Sequence, residues 1–230
     1  MNGSPHRRAP AGVLADVSAN CCTPPPELFK SHCVVSSPDV FATPQPAPGF
    51  VAALREIDLA LMRSVDHAGL LHFHDAPIDV TDVAPYLFVG RFPSPQALTY
   101  LESRGITDIV NVCSGERRSS DVAPYGMGTL SIAASDEPDF LILYHHLDEF
   151  VDYVDRVRQR GGKVFAHCIA GVNRSVTLCV AYLMMKEKMK AREVIELFYE
   201  KGRFPILTNV GFRQQLAELQ HNISRNREQQ

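Results

Sequence analysis

Residues 163–186 read KVFAHCIAGVNRSVTLCVAYLMMK, and the order of residue types along them decides the architecture. Lys163–His167 is a short apolar run with the texture of a strand buried in a sheet. Ser175–Lys186 is apolar nearly all round, as expected of a helix enclosed on every side. Between them lies the loop Cys168–Arg174. A strand that feeds a helix through such a loop places Cys168 at the carboxyl end of a sheet strand, where open α/β sheets bind their ligands. The loop can curl so that its N–H groups point inward and form a nest for an anion, and the helix N-terminus adds its partial positive charge. Gly171 allows a backbone angle or a close approach that a side chain would obstruct. Arg174 offers a planar fork that can hold two phosphate oxygens at once, which a lysine cannot do. The same field favours an anionic sulfur at Cys168.

Working outward, the pattern alternates between strands and helices. Tyr86–Val89 reads as a strand closed by Gly90. Ser94 and Pro95 open a helix that runs to about Arg104 and stops at Gly105. Ile106–Cys113 and Thr129–Ala134 are further strands. Leu143, Leu147, Phe150, Val151, Val154 and Val157 fall on one face of a helix that Gly161–Gly162 ends. Ala191–Glu200 and Val210–Gln220 are helices. This alternation predicts an α/β fold, with a central, mostly parallel sheet of about five strands and helices on both faces.

The flanking regions differ in texture. Residues 1–49 hold nine of the sixteen prolines and little apolar periodicity, which predicts a disordered Pro-rich tail. Residues 50–77 are a helical extension and connector. In them Phe50, Leu54, Ile57 and Leu61 recur at helical spacing, and Phe50–Met62 is the expected helix. His67, His72, His74 and Asp75 follow, in a spacing that matches no zinc pattern. The main domain is expected over 78–222, and 223–230 as a polar C-terminal tail.

Composition excludes several classes. Lys and Arg number 23 against 26 Asp and Glu, a formal net charge of -3, so no nucleic-acid partner is expected. The six cysteines contain no CxxC pair, so a tetrahedral zinc site is not expected, and no other metal is expected because Arg174 and the loop amides already neutralise a bound anion. The longest apolar stretch, Val176–Met185, is too short to span a bilayer, and neither a secretory leader nor a lipidation box is evident. The expectation is a cytoplasmic protein, with a nuclear location also open, without a stable membrane anchor and with reduced thiols.

His167, Cys168, Gly171, Arg174 and Ser175 spell H-C-x-x-G-x-x-R-S, which resembles the signature of the protein tyrosine phosphatase superfamily. The chain has no Trp, so the tryptophan-bearing acid loop of the classical tyrosine phosphatases is missing. Tyr86–Gly90, LESRGITDIVNV at 101–112 and NVGFRQQL at 209–216 instead resemble the dual-specificity phosphatases. No rhodanese-like docking domain is recognised upstream, so the likeness is to the small, atypical members.

That resemblance implies a protein phosphatase acting on phosphotyrosine and phosphoserine/phosphothreonine through a cysteinyl-phosphate. Cys168 would be the nucleophile. Arg174 and the backbone of Ile169, Ala170, Gly171, Val172 and Asn173 would bind the phosphate. Asp136 would be the general acid, preferred to Asp139, and Glu137 has no counterpart in the family. Ser175 would hydrogen-bond the leaving thiolate, and His167 would orient the loop from behind. The implied partner is a phosphorylated protein, with no cofactor; oligomeric state stays open. Asn173 departs from the Ser or Gly common before the arginine, and the loop lacks the lysines of many lipid-directed relatives. Cys113 reads as a buried strand-end cysteine, with a resolving thiol as the alternative.

Overall fold

The computed structural model describes residues 46–65, 78–117 and 126–229. In chain order the elements are α1 (Pro48–Val65), β1 (Val80–Ala84), β2 (Leu87–Arg91), α2 (Pro95–Ser103), β3 (Asp108–Asn111) and β4 (Gly128–Ser131). They continue with α3 (Ile142–Gln159), β5 (Val164–Cys168), α4 (Arg174–Lys186), α5 (Ala191–Glu200) and α6 (Val210–Glu228). The strands form one five-stranded sheet in the order β1-β2-β5-β3-β4. The pairs β2–β5, β5–β3 and β3–β4 are parallel, and β1 pairs antiparallel with β2 at the edge. The mostly parallel α/β architecture expected from the alternation is therefore present.

Strand periodicity sorts the core into two layers. Phe88, Ile109 and Phe165 point to one face, where Leu98 and Leu101 of α2 and Ile106 cover them. Leu87, Val89, Val110, Val164 and Ala166 point to the other face, into the larger core. There α4 lies against β2 and β5 and is enclosed in turn by α3, α5 and α6. This enclosure is why Val176–Met184 is buried without a polar stripe. Burying a side chain such as Leu178 stabilises the fold by about 1.5–3 kcal/mol. The outer helix α1 reaches this layer through Ala53, Ile57 and Ala60, packing on α5 and α6.

Several boundaries differ from the sequence reading, each for a local reason. The antiparallel β1 is absent from that reading, since VTDVA is short and its residues are mostly half-buried. β3 begins at Asp108 because Ile106 N–H returns to Leu101 O at 3.0 Å and closes α2. It ends at Asn111, and Cys113 keeps only an isolated bridge to Ala133. The helix expected at Phe50–Met62 spans Pro48–Val65, so the last two residues of the expected tail belong to it. The polar stretch at 223–228 is not a tail: α6 continues through it to Glu228. The rest of the proline-rich segment and the His67–Asp75 cluster lie outside the described residues.

The sheet end remote from the loop is pinned by Asp108, which is 1% exposed. Burial alone would raise its carboxyl. Hydrogen bonds from Arg160, Thr107 and Tyr153 hold it below the usual carboxylate range instead.

Candidate active site

The loop that follows β5 emerges between β2 and β3, near the middle of the sheet. Gly171 has φ +67°, and a Cβ there would stand 2.5 Å from the Gly90 carbonyl carbon and 2.6 Å from Arg91 N. Both the left-handed backbone and the contact with β2 therefore require glycine.

Three loop carbonyls are held outward. Phe92 N–H donates to Ile169 O at 3.2 Å and Leu207 N–H to Val172 O at 2.9 Å. Arg203 Nη1 donates to Gly171 O at 2.8 Å. In a trans peptide the following N–H points opposite the carbonyl, so Ala170, Val172 and Asn173 turn their N–H groups to the inner side. Gly171 N–H already donates to Cys168 Sγ at 3.2 Å. Ser175 Oγ donates to the same sulfur at 3.4 Å. Two donors thus converge on that sulfur, and α4 begins at the end of the same loop.

Arg174 is 4% exposed. Its Nη1 donates to Glu116 and, at 3.2 Å, to Ala134 O. Burial opposes its charge, but Glu116, Cys168 and Asp136 outweigh that and keep the guanidinium firmly protonated. Its Nε is buried without a hydrogen-bond partner. Asp136 Oδ2 lies 3.6 Å from it, an ion-pair distance too long for a hydrogen bond. An orphaned cationic donor beside a cysteine sulfur is suited to a phosphate oxygen.

Asp136 thus lies against the loop. Asn209 Nδ2 donates to its Oδ1 at 3.3 Å and to its backbone carbonyl at 3.0 Å, and Asn173 Nδ2 faces its Oδ2 at 3.5 Å. Asp139 is exposed, and no hydrogen bond or ion pair ties it to the loop. His167 points to the opposite face of the sheet from Cys168. It stacks on Phe165 at 5.7 Å and meets Phe92 edge-on at 5.2 Å. Burial pushes its imidazole down to about 4, so it is neutral near pH 7, and its Nδ1 has no partner.

Cys113 is buried and donates to Asn111 Oδ1 at 3.2 Å; burial pushes its thiol up to about 11. That suits the strand-end role rather than a resolving thiol. Among the described residues no group of His, Cys, Asp and Glu is arranged to hold a metal ion. A cleft of about 300 Å³ adjoins the loop, lined in part by Arg91, Ile169, Val172, Arg203 and Phe204.

Four contributors escaped the sequence reading. Glu116 sits in a polar run, and Asp79, which pairs with Arg203, lies between Ile78 and Val80; neither carries a local signal. Arg203 follows a helix end, where a cation is ordinary. Asn209 carried a signal, since Asn directly before a helix is an N-cap, and its Oδ1 does accept from Gly211 and Phe212 N–H.

A mostly parallel α/β sheet presenting a cysteine at the end of its central strand, in an amide nest closed by an arginine, defines a cysteine-phosphatase type of domain. The family model for the dual specificity phosphatase catalytic domain matches residues 87–222, more than half of the chain, and the chain belongs to that family. It is 32% identical over 142 residues to rat dual specificity protein phosphatase 5, covering 62% of this chain and 36% of the relative. It is 29% identical to human dual specificity protein phosphatase 1, covering 62% and 37%. The chain therefore matches little more than a third of the length of these curated relatives. The crystal structure of human DUSP28 superposes with a TM-score of 0.55 at 25% identity, covering 65% of this chain and 97% of that one. Human tyrosine phosphatase-like serine/threonine/tyrosine-interacting protein gives a TM-score of 0.51 at 28% identity, covering 61% and 94%.

Proposed function

We propose that this protein is a cysteine-dependent protein phosphatase that hydrolyses phosphotyrosine and phosphoserine/phosphothreonine through a cysteinyl-phosphate. The observation that carries the reading is the convergence on one loop of Cys168 Sγ, with donors from Gly171 and Ser175, and the buried Arg174 Nε, which has no hydrogen-bond partner. Bound phosphate takes its hydrogen bonds from the inward N–H groups and from Arg174. The sulfur attacks phosphorus, the bond from phosphorus to the substrate oxygen breaks, and Asp136 gives that oxygen its proton. Water then attacks the phosphocysteine, Asp136 takes a proton from the water, and the sulfur leaves as thiolate with the Ser175 hydroxyl donating to it. His167 supports the strand end from the far face through its packing on Phe92 and Phe165.

The catalytic unit on this reading is 78–222, with α1 and the end of α6 docked on it. Phosphorylated proteins are its partners, and intracellular signalling in the cytoplasm or nucleus is its setting. Among the described residues no helix is long and apolar enough to cross a membrane. Turnover of p-nitrophenyl phosphate by the wild type and by Cys168→Ser tests the reading. Wild-type turnover should exceed that of the variant by several orders of magnitude. Equal rates would leave a phosphoprotein-binding module instead.

A further inference from the structure

Asn173, the loop's departure from the small residue common at its position, has its polar partners outside the loop. Its Oδ1 accepts from Asn209 N–H and from Thr208 Oγ1, both at 3.1 Å. A backbone N–H only donates, so Asn209 fixes which way this amide points: oxygen toward Asn209, NH2 toward Asp136 Oδ2, at 3.5 Å. Asn209 is oriented by the same logic. Its own Oδ1 caps α6, which leaves its NH2 for Asp136 Oδ1 at 3.3 Å. Each carboxylate oxygen of Asp136 therefore faces an amide whose orientation the backbone imposes. The oxygen that Asn173 meets, Oδ2, is the one beside Arg174 Nε, on the phosphate side.

Resting on the reading of Asp136 as proton donor, we infer that Asn173 is a positioning residue that holds Asp136 Oδ2 toward the departing oxygen. It does so by bridging the phosphate loop, the acid segment and the head of α6. A serine at this position carries a single oxygen one bond beyond Cβ, and a glycine none. Neither spans from the Asn209 N–H to the Asp136 carboxylate. The gain depends on the leaving group. A phenol such as tyrosine departs with modest help, whereas the alkoxide of serine or threonine needs its proton delivered in place. The bridge therefore favours use of phosphoserine and phosphothreonine beside phosphotyrosine.

The test is the leaving-group dependence of kcat/KM for full-length wild type, Asn173→Ser and Asn173→Asp. The substrates are a series of aryl phosphates running from phenyl phosphate to strongly acidic nitro- and fluorophenols. Asn173→Asp keeps an acceptor for Asn209 and Thr208 but replaces the donor with a like charge beside Asp136, so it carries the test should Asn173→Ser fold poorly. The expected loss grows as the phenol becomes less acidic, and is at least about tenfold larger for phenyl phosphate than for the most acidic phenol, a part of the 10²–10⁴ that a general acid supplies. Inhibition by inorganic phosphate should change by less than about threefold, about 0.6 kcal/mol by the constant relating affinity to free energy. A loss of equal size across the series, or no loss, overturns the inference and leaves the phosphatase reading standing. A wild type no faster than Cys168→Ser across the series overturns both.

Discussion

Arg203→Met probes how the phosphate loop is held from behind. Arg203 is 6% exposed and pairs through Nη2 with Asp79, itself 14% exposed. Its Nη1 donates to Gly171 O at 2.8 Å and its Nε to Thr81 Oγ1 at 3.0 Å. Methionine fills much of the arginine stem's volume but donates nothing. Removing one partner of a buried pair costs about 3–5 kcal/mol, because the other charge is left uncompensated. Asp79 keeps some access to water, which places this case at the lower end, about 3 kcal/mol. The loop should respond as well, since the plane that carries Gly171 O also carries the inward Val172 N–H. Complete loss of one oxyanion donor costs about 10²–10³ in turnover. Phe92 and Leu207 still hold the neighbouring carbonyls, so the expected loss is about tenfold. Urea unfolding of wild type, Arg203→Met, Asp79→Asn and the double variant measures the stability side. Asp79→Asn should recover about 1 kcal/mol or more when added to Arg203→Met, because the stranded carboxylate is the main source of the cost. A single variant within about 1 kcal/mol of wild type, or a double variant additive to about 0.5 kcal/mol, would refute the reasoning. Turnover within about twofold of wild type would refute the link to the loop.

Asp136→Asn should lower turnover of phenyl phosphate by about 10²-fold or more, while Asp139→Asn stays within about twofold; the reverse order in steady-state assays would transfer the acid role to Asp139. His167 contributes to acid sensitivity. Its folded value of about 4 lies below the unfolded value of about 6.5, so the unfolded chain binds more protons between them and stability falls as pH drops through that window. The full contribution is about 3 kcal/mol, present above about pH 6.5 and lost by about pH 4. Urea midpoints taken across the window should show a shallower decline for His167→Gln than for wild type, and parallel curves would contradict it.

The parts of the fold most legible in the sequence are those where periodicity and burial coincide. The largely apolar Val164–His167 and Val176–Met184 runs and the one-sided α3 pattern each announce their element. The edge strand β1 carries no such signature, because it is half-buried and its residues belong to no single face. The continuation of α6 past residue 222 was hidden for the opposite reason. Ile223 still packs against the core, and the polar residues after it are helical through continuity with that packed segment rather than through an apolar stripe. Of the candidate site, Cys168, Gly171, Arg174 and Ser175 were readable because a single strand–loop–helix segment contains them. Asp136 and Asp139 could be ordered only by resemblance. The folded chain separates them physically, with Asp136 against Arg174, Asn173 and Asn209 while Asp139 faces solvent.

The chemistry of the loop is written in a few consecutive residues: a thiol, a glycine and an arginine at a spacing that suits an anion nest. That follows because the amides, the helix N-terminus and the side chains concerned lie within a few residues of one another. What holds the loop in shape comes from distant parts of the chain. Glu116 follows β3, Asp79 precedes β1, Arg203 follows α5 and Asn209 heads α6. Hydrogen bonds depend on distance in space, and packing α4 between the sheet and its neighbouring helices is what brings these separated residues against the loop and the side chains that flank it.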